Sequence, residues 1–204
     1  MNHNAYRPST LKEAISCLNI TKGVLYAGGT ELMVRNIRWG GVPLPSLHDV
    51  IFVGHLDELK RIDVDDGCLR IGACANLADV RLHPSTPAVL KKIVGEMASP
   101  AVRRLATIGG NICNASPAAD TLPYLYAVDA RVVCESLHGQ REIAIDRFIS
   151  GPGKTDLGAD EILTSVIIPG TVFTHQFYRK VSARRANSIA KVSFVGLAKK
   201  EGNR

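Results

Sequence analysis

Residues 107–120 read TIGGNICNASPAAD, and this stretch carries the strongest structural signal in the chain. Paired glycines, here Gly109 and Gly110, let the backbone approach a ligand and turn N–H groups toward it, as a pyrophosphate requires. Small and polar residues follow, which leave room for a ligand ahead of a predicted helix near 120–128. Asp120 could accept hydrogen bonds from sugar hydroxyls, or it could cap that helix. The residues alone leave both interpretations open.

A second glycine pair lies upstream, in the AGGTE stretch at 27–31. The apolar run 24–27 predicts a strand that meets Gly28-Gly29 and passes into a helix containing Leu32, Met33 and Ile37. Neither glycine loop has the GK[ST] of a P-loop or the GxGxxG of a dinucleotide fingerprint. Taken alone, each pair is more often a plain turn.

The remaining pattern mixes helices and strands. Thr10 followed by Glu13 has the pattern of a capping box and predicts a first helix over about 10–19, closed by Gly23. The glycine- and proline-rich stretch 39–46 predicts a loop. Further strands are predicted at 49–53, 69–73, 130–135, 142–145 and 162–168, and further helices near 76–82, 86–98 and 120–128.

Composition excludes several classes of protein. The 204 residues are 46% hydrophobic, which suffices for a buried core. No apolar stretch could span a bilayer, and the polar N-terminus lacks the apolar core of a signal peptide, so we expect a cytoplasmic protein that does not engage a membrane. Cysteines and histidines lack the spacings of iron–sulfur or zinc sites, so we expect no metal ligand from this chain.

The net charge of +6 is concentrated near the C-terminus. Residues 1–170 carry 17 Lys/Arg and 18 Asp/Glu, whereas residues 171–204 carry 8 and 1. This location argues against nucleic acid as a partner. It leaves three interpretations of the last segment: a solvated strand pair, the exposed edge of a missing domain, or a segment that faces an anion. The pairs Arg103-Arg104 and Arg184-Arg185 are typical of solvated surface, with docking to a partner subunit as the alternative.

Five stretches, in this order along the chain, resemble one known family. They are AGGTE at 27–31, TIGGNICNASPAAD at 107–120, GPGK at 151–154, EIL at 161–163 and YRKVSARR at 178–185. They resemble the FAD-binding (medium) subunits and flavin domains of molybdenum hydroxylases. This family includes the flavoproteins of xanthine dehydrogenase and carbon monoxide dehydrogenase. The resemblance implies an α+β fold, the two-subdomain FAD-binding fold of the PCMH (vanillyl-alcohol oxidase-like) type. It divides the chain into subdomains at 1–62 and 63–170 and the start of an incomplete C-terminal α/β domain at 171–204.

The same resemblance implies which residues touch FAD. Those that would line the dinucleotide are Ala27, Gly28, Gly29, Thr30, Glu31, Leu32 and Met33. Those that would clamp the diphosphate through main-chain donors are Thr107, Ile108, Gly109, Gly110 and Asn111. Asn114 and Asp120 would contact the ribityl or phosphate region, and Leu163 would pack near the adenine or the flavin. Lys180 would approach the cofactor, with a solvent-facing lysine as the alternative.

The function that the resemblance implies is electron transfer. Electrons would leave a molybdopterin-binding large subunit, cross iron–sulfur clusters on a small subunit and reach FAD on this chain, which would pass them to NAD or another acceptor. The chain would act in an oxidoreductase without supplying a catalytic acid or base. The main alternative is a non-catalytic assembly module with a degenerate flavin fold, and a weaker one is a nucleic-acid-binding domain.

Overall fold

The computed structural model describes residues 4–35, 49–184 and 187–200. The predicted loop at 39–46 and the predicted helical position Ile37 lie outside the described residues. The strands within these ranges are β1 (Ala5–Tyr6), β2 (Val24–Tyr26), β3 (Val50–Phe52), β4 (Ile62–Asp65), β5 (Cys68–Gly72), β6 (Arg131–Ser136), β7 (Gly139–Ala144), β8 (Ile149–Gly151), β9 (Lys154–Thr155), β10 (Ile162–Ile168), β11 (His175–Ser182) and β12 (Ala190–Ala198). The helices are α1 (Leu11–Thr21), α2 (Leu32–Arg35), α3 (Leu77–Leu82), α4 (Ala88–Gly95), α5 (Pro100–Leu105), α6 (Ile108–Asn114), α7 (Leu122–Ala127) and α8 (Ile145–Phe148).

The N-terminal unit is a parallel sheet in the order β1-β3-β2, covered by α1. The hydroxyl of Thr10 accepts a hydrogen bond from the Glu13 amide at 3.1 Å, and the Glu13 carboxylate accepts one from the Ser9 amide at 2.7 Å. These bonds satisfy backbone donors that a helix start leaves without intrahelical partners. The predicted helix is therefore confirmed, although Lys22, with φ 51°, closes it in place of Gly23.

The second unit is an antiparallel sheet in the order β4-β5-β10-β6-β7. The central strand β10 places Val166 opposite Ile71 of β5 and Val132 of β6, and all three side chains are fully buried. Side chains from α3, α4, α6 and α7 join the same core. The core of the first unit also includes Cys74 and Ile162, and the division at residue 62 stays a prediction.

A third element, the hairpin of β11 and β12, lies against α4 and α7. Tyr178 is buried on its inner face, and its carbonyl accepts a hydrogen bond from Lys92 at 3.2 Å. Phe177 and Phe194 lie on the outer face, more than half exposed, with ring centroids 6.1 Å apart. The basic segment is thus a strand pair anchored by one face.

Three expectations about local structure are wrong. Gly109 and Gly110 do not form a turn but lie in the first turn of α6, because Thr107 caps that helix through its hydroxyl. The helix predicted over 86–98 spans only Ala88–Gly95, and α5 was not predicted. Asp120 does not cap α7, whose N-cap is Thr121.

No helix in the described ranges has the length and apolar character that crossing a membrane requires.

Candidate cofactor-binding site

A cleft of about 330 Å³ lies between the first glycine loop and α6, at the junction of the two sheets. This volume is within the range of small-molecule pockets, roughly 300–1,000 Å³. Its lining combines the first glycine loop, 27–32, with the small or polar residues Thr107, Gly109, Gly110, Asn111 and Asn114. The apolar lining residues are Leu25, Val53, Leu59, Ala73, Cys74, Leu157, Ile162 and Leu163. A ligand with both a charged group and an apolar ring would match this mixed lining.

The first glycine loop is held close to the second unit because it has no side chains at two positions. A Cβ on Gly28 would lie 1.9 Å from the carbonyl oxygen of Leu105, so only glycine permits this backbone contact. Gly29 adopts φ +67°, and a Cβ there would lie 2.0 Å from the Tyr26 hydroxyl. The predicted strand, glycine turn and helix unit is confirmed, because the Met33 amide bonds the Gly29 carbonyl at 2.9 Å as α2 begins.

The same loop presents unpaired backbone donors. Within the described part of the chain, the N–H groups of Gly28, Gly29 and Thr30 have no hydrogen-bond acceptor. All three residues are only partly exposed and line the cleft. Successive N–H groups in a turn that contains a left-handed residue form a concavity that binds anions. The first loop therefore fits a phosphate group.

The second glycine stretch is part of α6, and its predicted clamp on the diphosphate stays a prediction. The Ile108 and Gly109 amides donate to the carbonyls of Ala75 and Ala73 at 3.1 and 2.9 Å. The Gly110 amide donates to the Thr107 hydroxyl at 3.1 Å, and the Asn111 amide donates to the Thr107 carbonyl at 3.0 Å. The first two bonds tie the start of α6 to the segment that follows β5, and the bonds to Thr107 cap the helix. All four main-chain donors are therefore engaged within the protein. The stretch forms a wall of the cleft.

Asn111 offers a side-chain donor beside this wall. Its Oδ1 accepts a hydrogen bond from the Thr121 hydroxyl at 2.5 Å, which assigns the other amide atom, Nδ2, as a donor. Among the described lining residues, none is lysine or arginine, and Glu31 carries the one formal charge. An anionic ligand would therefore be held by amide dipoles.

Asp120 and Lys180 form a buried ion pair outside the lining of the cleft. Lys180 Nζ lies 2.8 Å from Asp120 Oδ2, and the two side chains are 5% and 9% exposed. Burial raises the pKa of the Asp120 carboxyl, and the hydrogen bond from Lys180 opposes that rise. The Tyr178 hydroxyl is a further neighbour of this pair, because burial and the Asp120 carboxylate together raise the pKa of Tyr178. The alternative reading of Lys180 as a solvent-facing lysine is wrong.

Twelve of the sixteen residues proposed for FAD line the cleft: Ala27, Gly28, Gly29, Thr30, Glu31, Leu32, Thr107, Gly109, Gly110, Asn111, Asn114 and Leu163. The other four do not. Met33 is 47% exposed on α2, Ile108 is fully buried in the core, and Asp120 and Lys180 bond each other. Their contacts with FAD stay predictions.

Of the apolar residues that line the cleft beyond the first glycine loop, the sequence identified Leu163 alone. The others come from strand ends and loops that are far apart along the chain, and the single usable signal for them is the apolar run that precedes Gly28. Cys74 is one of these residues, and burial raises the pKa of its thiol to about 11.

Arg103 also differs from expectation, since it is buried and donates to the carbonyls of Met97 and Ala98 at 2.5 and 3.0 Å. It supports the turn before α5 and is not a surface residue.

The GPGK stretch forms the turn between β8 and β9. The Gly153 amide donates to the Ala115 carbonyl at 2.9 Å, which ties this turn to the end of α6. GPGK is therefore a turn between two short strands. The described residues contain no group of three or more His, Cys, Asp or Glu side chains that could hold a metal ion.

Comparisons with known proteins agree with this geometry. Residues 1–171 match the family model "FAD binding domain in molybdopterin dehydrogenase". The chain is 35% identical over 199 residues to the nicotinate dehydrogenase FAD-subunit of Eubacterium barkeri, covering 92% of this chain and 65% of that protein. It is 32% identical over 173 residues to the xanthine dehydrogenase FAD-binding subunit of Escherichia coli O157:H7, covering 80% and 56%. The chain thus spans less than two thirds of the length of these relatives.

Solved structures show the same fold. Quinoline 2-oxidoreductase from Pseudomonas putida 86 matches with a TM-score of 0.89 at 24% identity, over 100% of this chain and 71% of that one. Carbon monoxide dehydrogenase from Hydrogenophaga pseudoflava matches with a TM-score of 0.88 at 24% identity, over 99% and 71%. The expected α+β FAD-binding fold is confirmed. With the family match, these observations show that the chain belongs to the family of FAD binding domains of molybdopterin dehydrogenases.

Proposed function

We propose that the chain binds FAD and serves as an electron-transfer subunit of a molybdenum-containing hydroxylase or dehydrogenase. It would take electrons from iron–sulfur clusters on a partner and pass them from FAD to NAD or another acceptor. The observation that carries this proposal is the run of N–H groups at Gly28, Gly29 and Thr30, which are unpaired among the described residues and belong to the lining of a cleft that also has apolar lining residues. A diphosphate joined to a ring system matches both parts.

The chain's own residues would hold and orient the cofactor. The first glycine loop would bind the diphosphate, Asn111 Nδ2 would donate to a neighbouring oxygen, and Leu163 with Ile162 would pack against an apolar ring. Bound FAD supplies the redox chemistry, and the protein supplies position and electrostatics. No acid or base from this chain is needed for that role.

The partners follow from the relatives. Proteins named as FAD subunits of nicotinate and xanthine dehydrogenases are 35% and 32% identical to this chain. We therefore propose a molybdopterin-binding large subunit and an iron–sulfur small subunit as partners, in the cytoplasm. NAD is proposed as one candidate acceptor because flavins deliver hydride to nicotinamides.

The test is FAD binding by the purified protein. Flavin absorption at about 370 and 450 nm, retained after gel filtration, would support the proposal. We expect Gly29→Ala to lose this absorption, because its new Cβ would meet the Tyr26 ring. Gly67→Ala is the matched control, since Gly67 also has a positive φ, +73°, but a Cβ there meets nothing within 4 Å.

The alternative function gives a different result in the same experiment. A folded protein that stays colourless and fails to bind added FAD would contradict the proposal and favour a non-catalytic assembly module. Equal loss of flavin in Gly29→Ala and Gly67→Ala would show that backbone strain, and not the first glycine loop, controls binding.

A further inference from the structure

A second groove lies on the other side of the first glycine loop from the cleft. Its volume is about 590 Å³. All three strands of the parallel sheet contribute residues where they end: Arg7 follows β1, Tyr26 ends β2, and Phe52 ends β3. Residues of the second unit, Arg104 and Leu105, form the facing wall. The groove is therefore built at the carboxyl edge of a parallel sheet, the edge where open α/β sheets bind ligands.

The groove and the cleft are neighbouring spaces with largely different linings. Ala27, Gly28, Cys74 and Thr107 line both spaces. The other ten residues that line the groove do not line the cleft. At Gly28, which borders both spaces, the glycine loop approaches the Leu105 carbonyl so closely that a Cβ would lie 1.9 Å from its oxygen. The groove thus offers a ligand a lining of its own.

The charge of the groove favours an anion. Arg7 and Arg104 are exposed, and neither forms an ion pair or a hydrogen bond with its side chain within the described part of the chain. Lys60 adds a third cation, although it bonds the His55 carbonyl at 3.0 Å and Asp57 at 3.1 Å. The one carboxylate in the lining belongs to Asp79. It accepts a 2.5 Å hydrogen bond from Asn76.

One wall of the groove is aromatic. Tyr26 and Phe52 lie side by side on β2 and β3, with ring centroids 5.1 Å apart and planes inclined by 57°. Phe52 remains 37% exposed although it is a large apolar side chain. Aromatic rings presented this way give planar groups such as nucleobases a surface for stacking.

We propose that this groove binds a nucleoside diphosphate, with its phosphates between Arg7 and Arg104 and its base against Tyr26 and Phe52. Arginine suits the phosphates because its planar guanidinium donates two parallel hydrogen bonds to phosphate oxygens. The site is distinct from the cleft proposed for FAD and does not depend on the electron-transfer role.

The test is equilibrium dialysis of labelled ADP against the protein saturated with FAD. We expect one ADP per chain, with the flavin absorption at about 450 nm unchanged. Arg7→Ser and Arg104→Ser should each weaken ADP binding about tenfold, since each removes charge-assisted hydrogen bonds. Arg147→Ser, which removes an exposed arginine on α8 outside the groove, should leave ADP binding unchanged.

A second comparison separates base from phosphate. Phe52→Ala should weaken ADP about fivefold and leave competition by inorganic pyrophosphate unchanged, because pyrophosphate has no base to stack. Three results would overturn the proposal: no binding at about 5 mM ADP, ADP that displaces FAD, or equal weakening by Arg147→Ser. Because FAD is measured by its absorption in every sample, failure of flavin binding remains distinguishable from failure of this site.

Discussion

Lys180 and Asp120 connect the β11–β12 hairpin to the start of α7 through side chains that are 5% and 9% exposed. Two buried charges lose their hydration, and the attraction between them only offsets the free-energy cost of that loss. Removing one partner is more costly than the pair is stabilising, because the remaining charge is left buried. The hairpin is therefore expected to pack against α7 only when both Lys180 and Asp120 are present.

Asp120→Asn is expected to lower the free energy of unfolding by about 3 kcal/mol, because it leaves the Lys180 ammonium buried without a counter-charge. Urea denaturation measures this change. Arg131→Met is the control, since it breaks the Arg131–Glu142 pair, whose side chains are 60% and 37% exposed. That loss should stay below about 1 kcal/mol. Equal losses in the two variants would contradict a special role for the buried pair.

Arg141 forms ion pairs with two carboxylates at the surface of the second sheet. Its guanidinium lies 2.6 Å from Glu161 and 2.9 Å from Asp156, and the Glu161 carboxylate also accepts the Gly158 amide at 2.7 Å. The hydrogen bonds from Arg141 lower the pKa of Glu161 below its ordinary value of 4.5. The folded state therefore binds the Glu161 proton less tightly than the unfolded state does.

This difference predicts how stability depends on pH. The contribution of Glu161 is present above pH 4.5, its ordinary value, and is lost as the pH falls through the lowered folded pKa. Between about pH 5 and pH 3, the wild type should lose about 1 kcal/mol more stability than Glu161→Gln, a small figure because the cluster is partly exposed. Arg141→Met, which removes the hydrogen-bond donor of Glu161, should reduce the pH dependence as Glu161→Gln does. Chemical denaturation at several pH values measures both variants, and a wild-type pH profile in either would contradict the expectation.

At the scale of elements, α6 depends on how closely it approaches β5. A Cβ on Gly109 would lie 2.6 Å from the Ala73 Cβ and 2.7 Å from its carbonyl oxygen, so Gly109→Ala should push α6 away. We expect a loss of about 1–3 kcal/mol in unfolding free energy. A Cβ on Gly110 meets only the Thr107 hydroxyl, at 2.9 Å, so Gly110→Ala should change stability by less than about 1 kcal/mol. Thermal denaturation of both apoproteins would measure the difference, and an equal loss would contradict the packing explanation.

The helices α1 and α6 differ in how well the sequence predicts them. Helix α1 could be predicted because its apolar spacing and its capping residues, Thr10 and Glu13, agree. A glycine pair has low helix propensity, and tertiary packing against Ala73 outweighs that propensity in α6. The order of the second sheet, with β10 at its centre, depends on contacts between distant segments that periodicity does not report.

The candidate site divides in the same way. Both glycine pairs could be assigned to the site from the motifs around them, although each pair alone is more typical of a plain turn and the second lies in α6. The sequence could not show that, among the described residues, the N–H groups of Gly28 and Gly29 are unpaired whereas that of Gly109 is engaged, because hydrogen-bond partners depend on the fold. Leu25 and Ile162 were missed because they come together only through packing.

At the scale of the whole molecule, the cleft lies between two cores. The first glycine loop belongs to the parallel sheet, whereas Thr107 and Leu163 belong to the second unit. A ligand in the cleft contacts both units and so favours the arrangement in which they are together. Any ligand that binds the folded state alone raises its stability by mass action.

FAD is therefore expected to raise the unfolding temperature. At a concentration of about 100 times Kd, the stabilisation is about 2.7 kcal/mol, or a shift of about 5–10 °C for a domain of this size. Gly29→Ala should lose the shift because its Cβ would displace the Tyr26 ring beside the first glycine loop. Gly67→Ala should unfold at a lower temperature without FAD but keep the full shift, since its strain lies far from the cleft. Differential scanning calorimetry with and without FAD distinguishes these outcomes, and an undiminished shift in Gly29→Ala would place FAD elsewhere on the chain.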